Sequence, residues 1–119
     1  MRPEIRRIVA VEAHRRRTGL CPVRLHSLGT GETFEIRPAS DGFVDVTSGL
    51  TIQVSGNRIT VPSLAAVVDF SLNGDVGFDG YDHDSAEHFS GRAGGGTSVT
   101  LYDGEGRNYF QYAVVAEGD

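Results

Sequence analysis

A mainly β fold, a small antiparallel β-barrel or β-sandwich, is predicted by three observations on these 119 residues. Glycine is frequent at sixteen residues, β-branched side chains fall in short alternating runs, and turn signals recur about every 8 to 12 residues, as all-β sandwiches and barrels require. The length suits one hydrophobic core, and neither a repeat nor a long linker divides it, so residues 1–119 are read as a single domain with 1–20 as a basic N-terminal segment.

The first element, residues 3–18, is read as a short helix or as a first strand. For the helix, Pro3 fits the first turn and Glu4 its positive end, Arg15, Arg16 and Arg17 suit the last turn, and Gly19 with Pro22 forms a stop. Ile5, Ile8, Val9 and Ala13 then share a face. Against it, Glu12 and Arg16 interrupt that stripe, and the run Ile8-Val9-Ala10-Val11 is rich in side chains that prefer extended chain.

From Val23 to Leu28 apolar and polar residues alternate, and Gly29-Thr30-Gly31 turns the chain into a second alternating run at 33–36. Further strands are predicted at 43–46, 50–54, 58–61 and 64–70, separated by Asp41-Gly42, Ser48-Gly49, Ser55-Gly56-Asn57 and Pro62. The run 64–68 is apolar on both faces, which assigns it to a central strand followed by an Asn73-Gly74 turn. A return strand near 76–78 and strands at 87–90, 98–102 and 109–115 complete the set. A loop at 103–106 joins the last two, whose Tyr102, Tyr109, Phe110 and Tyr112 are expected to supply the main aromatic part of the core.

Charge is unevenly distributed. Residues 1–40 carry eight Arg against four acids, and 41–119 carry three against twelve, a polarity of about +4 beside about −9. Lysine is absent, which excludes Schiff-base chemistry, a lysine general base and a phosphate-loop lysine. Cys21 stands alone, so an intrachain disulfide and a thiolate zinc cage are excluded and a buried thiol is expected. No apolar run approaches the roughly twenty residues that span a bilayer, and the first residues lack a signal-peptide core. A cytoplasmic protein without a membrane segment is expected.

The densest ionisable cluster lies at 75–88. Its Asp79, Asp82, His83, Asp84 and His88 offer the oxygen and imidazole donors of a divalent metal ion, or of a hydrolase centre, although the spacing fits no EF-hand. The glycines at 91–96 have phosphate-loop spacing, but Thr97 stands where lysine is required and a strand follows. Asp69-Phe70-Ser71-Leu72-Asn73-Gly74 resembles the D-x-S-x-x-G element of PilZ domains, small β-barrels that bind cyclic di-GMP. That resemblance implies nucleotide contacts by Asp69, Ser71 and Gly74. It also implies an Arg-x-x-x-Arg clamp, whose one counterpart here is Arg2 and Arg6, farther upstream than the family pattern.

No nucleophile is framed by a base, and no cofactor is called for beyond the metal alternative, so binding is favoured over catalysis. Arg6, Arg7, Arg15, Arg16, Arg17 and Arg24 form the candidate surface. A sequence pI near 5.3, with no aromatic residue before Phe34, makes nucleic acid the less favoured anion. The expected function is therefore a non-catalytic binding or assembly module whose arginine-rich segment docks an anionic protein or another copy of itself.

Overall fold

In a computed structural model that describes residues 1–104 and 108–117, the N-terminal segment is a helix, α1 (Pro3–Thr18). Pro3 opens it, Glu4 lies in the first turn and three arginines in the last. Gly19 ends it with φ +72°, its N–H donating to the Arg15 carbonyl. The capping signals thus outweigh the β-branched run.

Ten strands follow: β1 (Pro22–Ser27), β2 (Thr33–Ala39), β3 (Gly42–Asp45), β4 (Leu50–Ser55), β5 (Arg58–Val61), β6 (Ala66–Asn73), β7 (Gly77–Asp82), β8 (Glu87–Ala93), β9 (Ser98–Asp103) and β10 (Asn108–Ala116). Each pairs antiparallel with its neighbour in sequence, and β1 pairs with β10 to close the barrel, so no edge is left unpaired. A register shift between Pro22 and Arg24 falls at this seam.

The alternation along each strand sorts the wall. Phe34, Phe43, Ile52, Phe70, Phe78 and Leu101 are among the buried inward residues, whereas outward positions carry cross-strand ion pairs such as Arg24–Glu35 and Arg58–Asp69. Among the described residues no helix is long and apolar enough to cross a membrane.

Eight strands already make a barrel that side chains alone can fill, so ten require something more inside. That filler is α1. Residues 8–14, nearly two full turns and hence every face of the helix, are at most 2% exposed, and α1 packs against β1, β10, β9, β8 and β6. At 1.5 Å per residue its sixteen residues span about 24 Å, within a molecule of 34 × 29 × 29 Å.

This enclosure explains why the stripe was ambiguous: a helix surrounded on all sides needs no polar face. Ala10 and Val11 are buried with the four residues expected, and Glu12, which seemed to spoil the stripe, is buried too. Two glycines let the inside fit. A Cβ at Gly80 would strike the ring of Phe89 and the Asp69 carbonyl of β6, and one at Gly91 the ring of Phe78 and the Thr100 carbonyl of β9.

Several local expectations are corrected. Leu64 ends a single 3-10 turn (Pro62–Leu64), and Ala65 turns the chain with φ +52°, so the strand expected from residue 64 begins at Ala66. The aromatic core comes from phenylalanines of β2, β3, β6, β7 and β8 together with Tyr112, whereas Tyr109 is 65% exposed. Cys21 is exposed rather than buried: it precedes β1, and its carbonyl accepts the N–H of Glu117. The loop expected at 103–106 falls partly on residues 105–107, outside the described residues.

Candidate functional site

The two rims of the barrel meet the two ends of α1 with different chemistry. Around the N-terminal end stand the β1–β2, β3–β4, β7–β8 and β9–β10 connections, which bring Asp45, Asp84 and Asp103 toward the arginines. Arg2 Nε lies 3.1 Å from Asp84 Oδ2, Arg6 Nη1 3.8 Å from Asp103 Oδ2, and Arg7 Nη2 3.6 Å from Asp45 Oδ2.

Both Arg6 and Arg7 also sit over aromatic rings. The Arg6 guanidinium carbon is 3.9 Å from the centre of Phe110 and that of Arg7 3.8 Å from the centre of Phe34, contacts worth about 0.5–2 kcal/mol each. Arg6 Nη1 donates to the Met1 carbonyl at 2.7 Å and Arg7 Nη2 to Ser48 Oγ at 3.0 Å. The Nε atoms of both are buried and donate to nothing among the described residues.

These two arginines line a cleft of about 510 Å³ that runs from the mouth of the barrel over its rim. Ser27, Thr30 and Gln111 give it polar walls, Leu28 and Tyr109 an apolar lip, and Glu32 the one carboxylate among the described residues of its lining. Tyr112 lies at its base, where burial pushes the phenol above its ordinary pKa against the opposing effect of Arg6. The hydroxyl therefore stays protonated and able to donate at neutral pH.

At the other end of α1 the arginines are engaged by the chain's own groups. Arg15 Nη1 and Arg16 Nη2 reach the buried Glu12 at 2.8 and 3.0 Å. Arg16 also donates to the Gly56 carbonyl at 2.9 Å and lies 4.7 Å from the ring centre of Phe70. Arg17 bonds the carbonyls of Ala93, Gly74 and Gly77 at 2.9, 3.1 and 2.9 Å, joining two hairpins across the rim. Arg24 is on the outer wall, 2.9 Å from Glu35, which raises its pKa. The six predicted partner-binding arginines are thus divided among two rims and a wall rather than brought to one face.

The Asp/His residues are dispersed as well. Asp82 points inward and is fully buried, accepting the N–H of Asp84 at 3.1 Å and the Ser85 hydroxyl at 2.8 Å. Asp84 pairs with Arg2, and Asp79 accepts from Ser71 and Asn73 on the outer wall. His83 and His88 flank Tyr81 edge-on, at 4.9 and 4.8 Å between ring centres. Among the described residues no three His, Cys, Asp or Glu side chains are grouped to hold a metal ion.

A shallow groove of about 580 Å³ crosses the wall beside Asp69, Ser71, Asp79, Tyr81 and His88. There His83 Nε2 donates to Asp69 Oδ2 at 2.8 Å, and Arg58 adds a bond to Oδ1 at 3.2 Å. The bond from His83 lowers the Asp69 pKa most, slight burial opposes it, and Arg58 lowers it further. Of the residues that resemble the PilZ element, Asp69 and Ser71 face this groove. Gly74 sits instead in the β6–β7 turn, bonded to Arg17. Arg2 and Arg6 belong to the opposite rim.

Sequence reading missed the parts that shape the cleft. Leu28 and Tyr109 look like core in an alternating pattern, and Phe34 and Phe110 do not announce a stacked cation. One signal was present: Asp45-x-x-Ser48 and Asp82-x-x-Ser85 recur at the ends of β3 and β7. In both the inward Asp accepts a backbone N–H of its own turn, from Ser48 at 3.0 Å and from Asp84 at 3.1 Å. That repeat marks where acids line the helix-entry rim. Compared with family models, curated proteins and solved structures, the chain matches none.

Proposed function

We propose that this barrel is a non-catalytic binding module and that it receives an anionic group of a partner protein, a different chain or a second copy, in the cleft at Arg6 and Arg7. The observation that carries the reading is that the guanidinium groups of Arg6 and Arg7, each held over an aromatic ring and with side chains 17% and 12% exposed, both border about 510 Å³ of open space. Arg15, Arg16 and Arg17 serve instead to hold α1 in the barrel, since their bonds go to Glu12 and to carbonyls of the rim. An anion at Arg6 and Arg7 gains charge-assisted hydrogen bonds in a partly desolvated place, where they are strongest.

Selection of random displayed heptapeptides on the immobilised protein tests this. Enriched sequences should carry Asp or Glu, should elute at roughly 0.5 M salt, where exposed charges are screened over a few ångströms, and should be lost with Thr30→Glu, which adds a negative charge to the exposed lip. Enrichment of uncharged or basic sequences, or binding indifferent to Thr30→Glu, would contradict it.

A further inference from the structure

We infer that the shallow groove on the outer wall is a second binding site, independent of the cleft at Arg6 and Arg7, and that it takes a neutral oligosaccharide. Charge narrows the ligand first. Two carboxylates line the groove, those of Asp69 and Asp79. Two guanidinium groups are bonded into its lining, Arg58 to Asp69 Oδ1 at 3.2 Å and Arg16 to Asn57 Oδ1 at 3.1 Å. Behind Arg16, Glu12 and Arg15 pair and add no net charge. With histidine neutral the sum is zero, so among the described residues neither a phosphate nor an ammonium group meets an unmatched countercharge.

What the lining offers instead is hydrogen-bonding groups already held in place. Asp79 is fixed by the Ser71 hydroxyl at 3.1 Å and the Asn73 amide at 3.2 Å, and Asp69 by His83 and Arg58. A carboxylate has about four acceptor sites, so both can accept more. Asn57 accepts from Arg16 through Oδ1, which leaves its amide N–H groups as donors, and Tyr81 and His88 add a phenol and an imidazole. A sugar hydroxyl donates and accepts at once, and its bond to an ionised carboxylate is of the stronger kind. Tyr81, flanked by His83 and His88, supplies aromatic surface for the C–H face of a sugar ring.

The wall continues this platform beyond the groove. In the strand register Asp79 faces Ser90, Ser90 faces Tyr102, and Tyr102 faces Tyr109. These positions point outward, since Phe78, Phe89 and Leu101 beside them are buried. At the usual spacing of neighbouring strands, the two tyrosines stand roughly 10 and 14 Å from Asp79. Tyr109 is 65% exposed, and aromatic side chains left in water in line with a polar groove mark a ligand longer than one ring. A groove open along the wall also lets a chain run out of it, which a closed pocket does not.

Electrophoresis through native gels cast with a neutral polysaccharide tests the site, using dextran, amylose, mannan, laminarin and xyloglucan, with dextran sulfate and diethylaminoethyl-dextran as charged counterparts. At least one neutral gel should retard the protein. Tyr81→Ala should weaken that binding about tenfold, the loss of one aromatic contact. Asp79→Asn, which keeps the shape of the side chain and serves should Tyr81→Ala fail to fold, should weaken it about fivefold. Tyr102→Ala should cost affinity for a hexasaccharide cut from the retarding polymer and none for the disaccharide.

No retardation in any neutral gel, retardation in the charged gels alone, or retardation that Tyr81→Ala and Asp79→Asn both leave unchanged would overturn the site. Equal effects of Tyr102→Ala on the disaccharide and the hexasaccharide would overturn the extended ligand.

Discussion

At the scale of single residues, most of the charge in this barrel is matched by groups of the same chain, and the quality of the match differs with burial. Glu12 is the deepest case: a carboxylate 1% exposed is tolerated in the lumen because two arginines reach it, and an unpaired charge there would cost several kcal/mol. Asp69 is the surface case. Its pKa is lowered chiefly by the bond from His83. A carboxyl held below its unfolded value stabilises the fold above about pH 4 and loses that contribution as pH falls through its folded value. A carbon-detected NMR titration should place the Asp69 midpoint below that of an ordinary aspartate, and His83→Ala should move it up. A midpoint at or above about 3.9 would contradict the pairing.

Elements are fixed by features of very different visibility. Turn residues set the hairpins: Gly29-Thr30-Gly31 falls between β1 and β2, and Gly74 opens the connection between β6, which ends at Asn73, and β7, close to where alternation placed them. Turn chemistry acts within four residues, which is why it is legible in sequence. The fit between α1 and the wall is not local. Gly91 looks like one more loop glycine, yet it lies inward on β8 against Phe78 and the Thr100 carbonyl. Gly91→Ala should destabilise the protein by about 1–3 kcal/mol, the usual cost of overpacking, read as a lower urea midpoint with unchanged slope. A midpoint equal to that of the parent protein would show that β8 and β9 can part to admit a methyl group.

The whole molecule is a barrel threaded by its own N-terminal helix, and this organisation gives the sequence polarity its meaning. A basic beginning and an acidic remainder look like two faces of a particle. They are instead a helix and the rims that receive it, with Asp84, Asp103 and Asp45 at one end and turn carbonyls at the other. Composition and alternation made the barrel class readable. The enclosure of α1 was not readable, because a stripe of Ile5, Ile8, Val9 and Ala13 looks the same whether its back meets water or a second wall. The candidate site escaped for a related reason: Arg6 and Arg7 differ from Arg15 and Arg16 only in what the folded rim places around them.

A helix enclosed on every face can exchange its amide hydrogens only when the barrel opens. Amides of residues 8–14 should therefore exchange as slowly as those of Leu101 and Val114 in the wall. Exchange of the helix well ahead of the strands would mean that α1 leaves the lumen by itself.

The most direct test follows the arginine Nε–H resonances of the intact protein by NMR as the acidic dipeptide mimic acetyl-Glu-amide is added. The expected result is movement of the Arg6 and Arg7 signals, with backbone shifts confined to residues 27–32 and 109–112, while Arg15, Arg16, Arg17 and Arg24 stay still. Shifts centred on those four arginines, or none at Arg6 and Arg7, would contradict the division of the basic segment into two that bind and others that hold the fold.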